Sequence, residues 1–243
     1  MGAEIRIAAQ TQMGEPVTTV SAAEGYRLWS AGYDDDPNPV TALEQRLLAA
    51  RMQIGAGSTV LDLATGTGRW LEYAMSRGVQ AMGFDVSEEM LAVAANKEGV
   101  RGRVAAADIC ALPLRDGAAD LAICSFALGY VAPLQRAFQE MARVARRVIV
   151  SDLHPEAIEA GWRRSFRSGH RSYEIAHHRH SVYAVNSCAR AAGLTPAWMI
   201  EAGFGEPERM VFERAGKADA FTAAQEVTAV LISAWVHLPG AGA

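Results

Sequence analysis

Cysteine is scarce: Cys110, Cys124 and Cys188 are the only three in 243 residues, and they form no metal-type spacing. Cys110 and Cys124 fall in or beside apolar segments and read as small packing residues. A cytoplasmic, reducing location is the default expectation for such a chain. No apolar run approaches the ~20 residues that span a bilayer. The stretch from Met1 to Gln12 lacks a basic start followed by a long apolar core, so no secretory signal is expected. A cationic surplus is also missing. There are 23 Lys and Arg against 27 Asp and Glu, a net charge of −4, which argues against broad nucleic-acid binding. Internal repeats and a second-domain boundary are absent as well.

What remains suits one globular α/β domain, 50% hydrophobic and 21% charged. Residues 1–20 read as a flexible, small-residue tail. Residues 21–51 read as a helical cap, interrupted by Asp34-Asp35-Asp36-Pro37-Asn38-Pro39, a loop signal. Strand-like runs follow at Thr59–Leu63, Gln80–Phe84, Arg103–Ala106, Asp120–Ser125 and Arg147–Ser151. Helical patterns at Arg69–Arg77, Ser87–Asn96 and Leu134–Ala145 alternate with them. Such alternation implies a parallel sheet covered on both faces. After Asp152 the periodicity fails until a helical stretch at Ser181–Ala192, and Thr228–Val236 is strand-like again.

The densest signal is Val60-Leu-Asp-Leu-Ala-Thr-Gly-Thr-Gly-Arg69, a strand running through Asp62 into a turn with Gly66 and Gly68 that opens a helix. Glycine tolerates φ > 0 and lets backbone approach a ligand, while the helix start offers unpaired N–H groups. A nucleotide-like cofactor is expected there. The third glycine of a dinucleotide loop is missing, and so is the Gly-Lys-Ser/Thr of a triphosphate loop. Asp85 ends the second strand, where an acid suits ribose hydroxyls in more than one fold.

Four segments then stand in register: Val60–Gly68, Phe84–Leu91, Ala107–Leu114 and Asp120–Leu128. Together they resemble the motifs of class I S-adenosylmethionine-dependent methyltransferases. Trp29-Ser-Ala-Gly-Tyr-Asp34 is similar to the N-terminal cap of ubiquinone/menaquinone-biosynthesis-type members that act on small molecules. The resemblance runs from Tyr26 to Val236 and is weakest from His154 to Tyr183. It implies a Rossmann-like, doubly wound seven-stranded sheet, mostly parallel, with an antiparallel hairpin near Ala197–Ala202 and Thr228–Val236. The cofactor it implies is S-adenosyl-L-methionine. Asp62 would hold the amino group, Ala64, Gly66 and Gly68 the methionine part, and Asp85 the ribose. Asp108 would accept from the adenine amine, with Val86 and Ile109 on the adenine face. Ser125 and Phe126 would line the methionine end, and Tyr26 and Tyr33 are candidates to cover the sulfonium. Two departures stand out: Ala64 replaces a frequent glycine, and Ala145-Arg146-Arg147 runs into the fifth strand without the usual Pro-Gly-Gly.

Methyl transfer by in-line displacement relies on positioning and on excluding water, with a base where the acceptor is acidic. His154 is the first candidate base and Asp152 its partner, against an equally weighted reading in which His154 orders the loop before Pro155. Tyr130, Arg163, Arg167, His170 and His178 are candidate substrate residues, in a lid over 154–183 that takes an anionic group. A metal at His177-His178-Arg179-His180 is not expected, because arginine stands in the cluster and no carboxylate or thiolate does. The expected activity is methylation of a small metabolite, O- or C-acceptor favoured, by a monomer or homodimer without nucleic-acid or membrane partners. An N-methyltransferase, a non-catalytic cofactor-binding regulator and a nicotinamide oxidoreductase are the alternatives.

Overall fold

A computed structural model describes residues 3–6, 17–35 and 37–237. Among these the chain runs β1 (Ala3–Arg6), β2 (Val17–Val20), α1 (Ala22–Trp29), α2 (Pro39–Ala49), β3 (Thr59–Leu63), α3 (Arg69–Ser76), β4 (Gln80–Asp85) and α4 (Glu88–Ala95). It continues with β5 (Val104–Ala106), β6 (Ala119–Ser125), α5 (Leu134–Val144), β7 (Ala145–Leu153), α6 (Pro155–Glu159), β8 (Arg163–Ser168) and β9 (Arg171–Ile175). The last elements are α7 (Val182–Ala191), β10 (Thr195–Ala202), α8 (Glu206–Arg214), α9 (Phe221–Gln225) and β11 (Val230–Val236). No helix among the described residues is long and apolar enough to cross a membrane.

A seven-stranded sheet has the order β10-β11-β7-β6-β3-β4-β5. Its strands β7, β6, β3, β4 and β5 pair in parallel, as expected. β11 runs against β7: His154 N–H bonds to the Ala229 carbonyl while His237 N–H bonds to that of Arg146. The mostly parallel sheet with an antiparallel C-terminal hairpin is therefore as expected. β3 is an interior strand between β6 and β4 and is buried from Val60 onward, which accounts for its near-continuous apolar run. β7 starts at Ala145 directly from the end of α5, with no turn residues between them, in keeping with the missing Pro-Gly-Gly.

The described chain divides into two compact units. One comprises Gln53–Asp152, His180–Met199 and the described residues from Ile232 on. Its core packs Leu61, Leu63, Ala122 and Cys124 of the central strands, and Phe138 of α5 meets Trp235 edge-on at 5.3 Å. Ser87 caps α4 by accepting from Met90 N–H, with Glu88 and Glu89 in the first turn where the helix dipole favours acids.

The other unit comprises the described residues up to Met52, Leu153–Arg179 and Ile200–Leu231. It holds a second sheet, β1-β8-β9-β2. This corrects the reading of the N-terminal tail and gives form to the stretch after Asp152. The segment read as a flexible tail contributes β1 and β2, whose Val17-Thr-Thr-Val20 is β-branched throughout; its remaining residues lie outside those described. The aperiodic stretch after Asp152 is a short helix and an antiparallel hairpin, β8–β9. Helix α1 covers this sheet. A Cβ on Gly25 would come 2.7 Å from Ile175 Cγ1, so only glycine allows that approach. Trp29 stacks on Phe166 at 5.1 Å, and Phe166 on Tyr173 at 5.3 Å.

One strained position lies at the end of β3. Ala64 has φ +55°, a left-handed conformation that disfavours a side chain. Ala64→Gly should therefore raise stability by about 0.5–1 kcal/mol, the strain relieved less the entropy glycine adds to the unfolded chain. Urea denaturation of the two proteins measures this, and a less stable variant would refute the strain.

Candidate functional site

The turn after β3 is built around Asp62, which is 2% exposed. Its Oδ2 accepts from Thr65 Oγ1 at 2.6 Å and from Leu71 N–H at 2.9 Å. Helix α3 begins at Gly68, which has φ +88° and no side chain with which to cap. Asp62 therefore supplies the cap from the strand, bonding an amide in the first turn. Oδ1 of Asp62 takes no hydrogen bond from any described residue. Burial pushes the carboxyl up to about 6, opposed by the Thr65 hydroxyl, by the nearby Arg69 charge and by Leu71 N–H.

The sign of the consequence is fixed by that direction. The folded-state value lies above the ordinary one, so the native state binds the proton more tightly than the unfolded chain. Ionised Asp62 thus costs the fold roughly 3 kcal/mol above pH 6, and the cost fades as pH falls from about 6 towards 4.

Asp85, at the end of β4, accepts from Gly66 N–H with Oδ2 at 2.8 Å and from Ser87 N–H with Oδ1 at 2.9 Å. Desolvation raises its pKa, and the amides of Ser87, Gly66 and Val86 oppose that. Gly66 itself has φ +56°. Val86 is an exposed apolar side chain, 68% accessible, beside this carboxylate. Two residues past β5, Asp108 is exposed and accepts from Cys110 N–H at 2.8 Å, while Ile109 is buried. The loop carrying both is fastened to α5. Buried Glu140 accepts from Leu112 N–H at 2.8 Å, Arg143 donates to the carbonyls of Leu112 and Leu114, and Arg136 donates to that of Cys110. Arg143 also pairs with Glu140 at 2.8 Å and holds that acid below the usual carboxylate range.

Ser125 ends β6 and its Oγ accepts from Arg69 Nη2 at 3.0 Å. Phe126 follows with φ +54°, its N–H donating to the Ser151 carbonyl at 2.7 Å. Tyr130 is half-buried in the short turn Leu128–Tyr130. Asp152 Oδ2 accepts from Gly129 N–H at 2.7 Å. The β3 turn thus joins Asp62, Ala64, Gly66, Gly68 and Asp85 in one bonded group, and Ser125 joins it through Arg69.

In the second unit, Tyr26 and Tyr33 are half-buried and pack around Trp29, at ring distances of 6.2 and 4.7 Å. His154 does not stand as an unengaged base. Its Nδ1 accepts from Glu156 N–H at 3.1 Å as the cap of α6, and its Nε2 lies 3.1 Å from Glu201 Oε1. A ring that accepts at Nδ1 is the Nε2–H tautomer when neutral, so it donates to Glu201. Arg163 is likewise engaged, giving its Nη1 to the carbonyls of Ile158 and Trp162 at the end of α6. Arg179 pairs with Glu159. Arg167, His170 and His178 are exposed. Among the described residues no group of three or more His, Cys, Asp or Glu is arranged to hold a metal ion.

Sequence reasoning missed three contributors. Thr65 orders Asp62; Arg69 faces both Asp62 and Ser125; Gly83 makes room. A Cβ on Gly83 would lie 2.7 Å from Thr65 Oγ1. Only Arg69 carried a local signal, a cation placed at the start of a helix where the dipole disfavours it.

A sheet of this order, with a buried acid and a glycine turn after its first parallel strand and acids at or just past the ends of the next two, is the class I S-adenosylmethionine-dependent methyltransferase fold. Residues 60–148 match the family model described as a methyltransferase domain. The chain is similar to the demethylmenaquinone methyltransferase of Thermobifida fusca, 38% identical over 95 residues, which are 37% of this chain and 40% of the relative. It is also 35% identical over 102 residues to the malonyl-[acyl-carrier protein] O-methyltransferase of Pectobacterium atrosepticum, 42% of this chain and 40% of that one. The match spans under half the length of these curated relatives. Among solved structures, an S-adenosylmethionine-dependent methyltransferase from Mesorhizobium loti superposes with a TM-score of 0.63 at 21% identity, over 82% of this chain and all of that one.

Gly83→Ala should shift Thr65 off Asp62 and destabilise the protein by about 1–3 kcal/mol. Chemical denaturation reads the loss, and full stability in the variant would show that Thr65 does not need the space.

Proposed function

We propose that this protein transfers a methyl group from S-adenosylmethionine to a small metabolite. The observation that carries the reading is Asp62, a desolvated carboxylate with an unbonded Oδ1 beside the glycine turn. Such a group gains most from a cationic donor, and an α-ammonium is one. Asp85 would hold the ribose diol with the lone pairs left after its bonds to Gly66 and Ser87. Asp108 would accept from the adenine amine, with Val86 and Ile109 against the ring. Arg69 suits the carboxylate of the methionine part. When bound, S-adenosylmethionine supplies an electrophilic methyl group. The chain's own contribution is then to hold donor and acceptor in line and to exclude water.

The names of the relatives, a demethylmenaquinone methyltransferase and a malonyl-[acyl-carrier protein] O-methyltransferase, support a quinone-type acceptor or an oxygen acceptor on an acyl thioester. Residues 154–183 are proposed as the acceptor-binding segment, with Tyr130, Arg167, His170 and His178 as candidate contacts and an anionic group as the feature recognised. Tyr26 and Tyr33 remain proposed for the cofactor. His154 and Arg163 are omitted, because their donors and acceptors are engaged by neighbouring groups.

Calorimetric titration with S-adenosylmethionine, S-adenosylhomocysteine and NADH tests the cofactor. The first two should bind and NADH should not; binding of NADH alone would sink the reading. Turnover is then followed with a short-chain naphthohydroquinone and a malonyl thioester, which separates an enzyme from a binding protein.

The Asp62 pairing has its own test. An ammonium favours ionised Asp62, so S-adenosylhomocysteine affinity should be full above pH 7 and fall as pH drops through about 6. Calorimetry between pH 5 and 7.5 measures it. An affinity flat across that range would mean that Asp62 does not meet the ammonium.

A further inference from the structure

The backbone that leaves β6 is held in an unfavourable conformation by side chains outside the cofactor turn. Phe126 has φ +54° and is 6% exposed, in a region that bulky residues rarely occupy without support. Support comes from two sides. Below the turn, β6 and β7 stay in register to Ser125 and Ser151, and Phe126 N–H closes on the Ser151 carbonyl at 2.7 Å. One residue further along β7, Asp152 Oδ2 receives Gly129 N–H at 2.7 Å, a charge-assisted bond. From the other direction His180, just before α7, places Nε2 at 3.1 Å from the Leu128 carbonyl and 3.2 Å from that of Val131. Two carbonyls require a donor, so Nε2 carries a proton and is shared between them.

We infer that Asp152 and His180 are positioning residues that clamp the turn Phe126–Val131, and with it Tyr130, as the acceptor-side wall of the methyl-transfer site. This rests on the methyltransferase reading for its function and on the geometry alone for the clamp. The clamp binds the turn through one amide and two carbonyls of three different residues, Gly129, Leu128 and Val131. Losing either anchor leaves part of the turn without its tether, and the strain at Phe126 is then free to relax. A shift near 1 Å in an element that lines reacting groups costs on the order of a hundredfold in rate. Asp152 here acts on a backbone amide, so it needs an acceptor oxygen at that position and no titratable proton. This separates the inference from a base role for the same residue.

The test compares D152A, D152N, H180A and H180Q in the full-length protein. Asn keeps an acceptor and Gln keeps a donor. Three measurements are made: amide exchange over residues 126–131, S-adenosylhomocysteine affinity, and kcat with whichever of the naphthohydroquinone and malonyl thioester is turned over. D152A and H180A should speed exchange in the turn and lower kcat by about 10- to 100-fold. Cofactor-product affinity should fall less than kcat, since Asp62, Asp85 and Asp108 lie on other loops and only Ser125 and Phe126 adjoin the clamped turn. D152N and H180Q should recover protection and most of the rate. The clamp is refuted if exchange in the turn is unchanged in D152A and H180A. Positioning gives way to proton transfer if D152N protects the turn like the parent yet turns over as slowly as D152A. Should D152A fail to fold, H180A against H180Q decides by the same measurements. If the parent binds no cofactor, the methyltransferase reading has failed, and the exchange measurement still decides the clamp.

Discussion

A central strand must become a helix within five residues while a charged side chain stays buried beneath the junction. That constraint, centred on Asp62, organises the first unit. The carboxylate caps α3 in place of Gly68, which cannot. Its second bond comes from Thr65, whose side chain occupies the space that the missing Cβ of Gly83 leaves on the neighbouring strand. The chain reaches this arrangement through three left-handed residues, Ala64, Gly66 and Gly68. Asp85 adds a tie across strands by accepting from Gly66 N–H. The turn is therefore fixed by bonds to two strands and has little freedom of its own.

Such rigidity has an electrostatic cost. Asp62 is desolvated and its two bonds, both to Oδ2, do not fully offset that. In a purely structural turn a neutral side chain in this role would spare the fold the desolvation. A charge retained against that preference is expected where a ligand of opposite sign completes it. Arg69 fits the same logic. Its guanidinium stands at the positive end of a helix, against the dipole, yet it faces Asp62 and Ser125. A zwitterionic group would meet both members of the pair.

What could be read from the sequence follows the range of the interactions. The strand–turn–helix at Val60–Arg69 is a local pattern, and so are Asp85 before the Ser87 cap and the apolar strands beside it. Gly83 was silent because its meaning lies in Thr65, eighteen residues earlier in the turn after another strand. The hairpin β8–β9 was hidden for a related reason. Arg164 and Ser165 are buried there, so no polar–apolar alternation marks the strands. Their pairing partners, β1 and β2, lie well over a hundred residues upstream. His154 shows a different limit. A histidine before a proline suits both a helix cap and a base, and the bonds to Glu156 N–H and Glu201 that favour the cap come from residues the local pattern does not single out.

Ala64 and Phe126 are the two residues other than glycine with positive φ among those described. Both directly follow neighbouring parallel strands, β3 and β6, at the ends where sheets of this kind bind ligands. Two such departures at the same edge of one sheet are hard to ascribe to chance, since each opposes folding. They also differ in how they are held. Ala64 is fixed within the β3 turn, by Thr65 N–H on the Phe84 carbonyl and by the Asp62 bonds that follow. Phe126 is fixed through Ser151, with Asp152 and His180 gripping the turn that follows. The strain after β3 is thus supported by that strand's own turn, while that after β6 depends on β7 and on His180 just before α7. On the proposed assignment of these turns, changes in β7 or at His180 would retune the acceptor side and leave the β3 turn intact, a way to alter the acceptor without rebuilding the cofactor site.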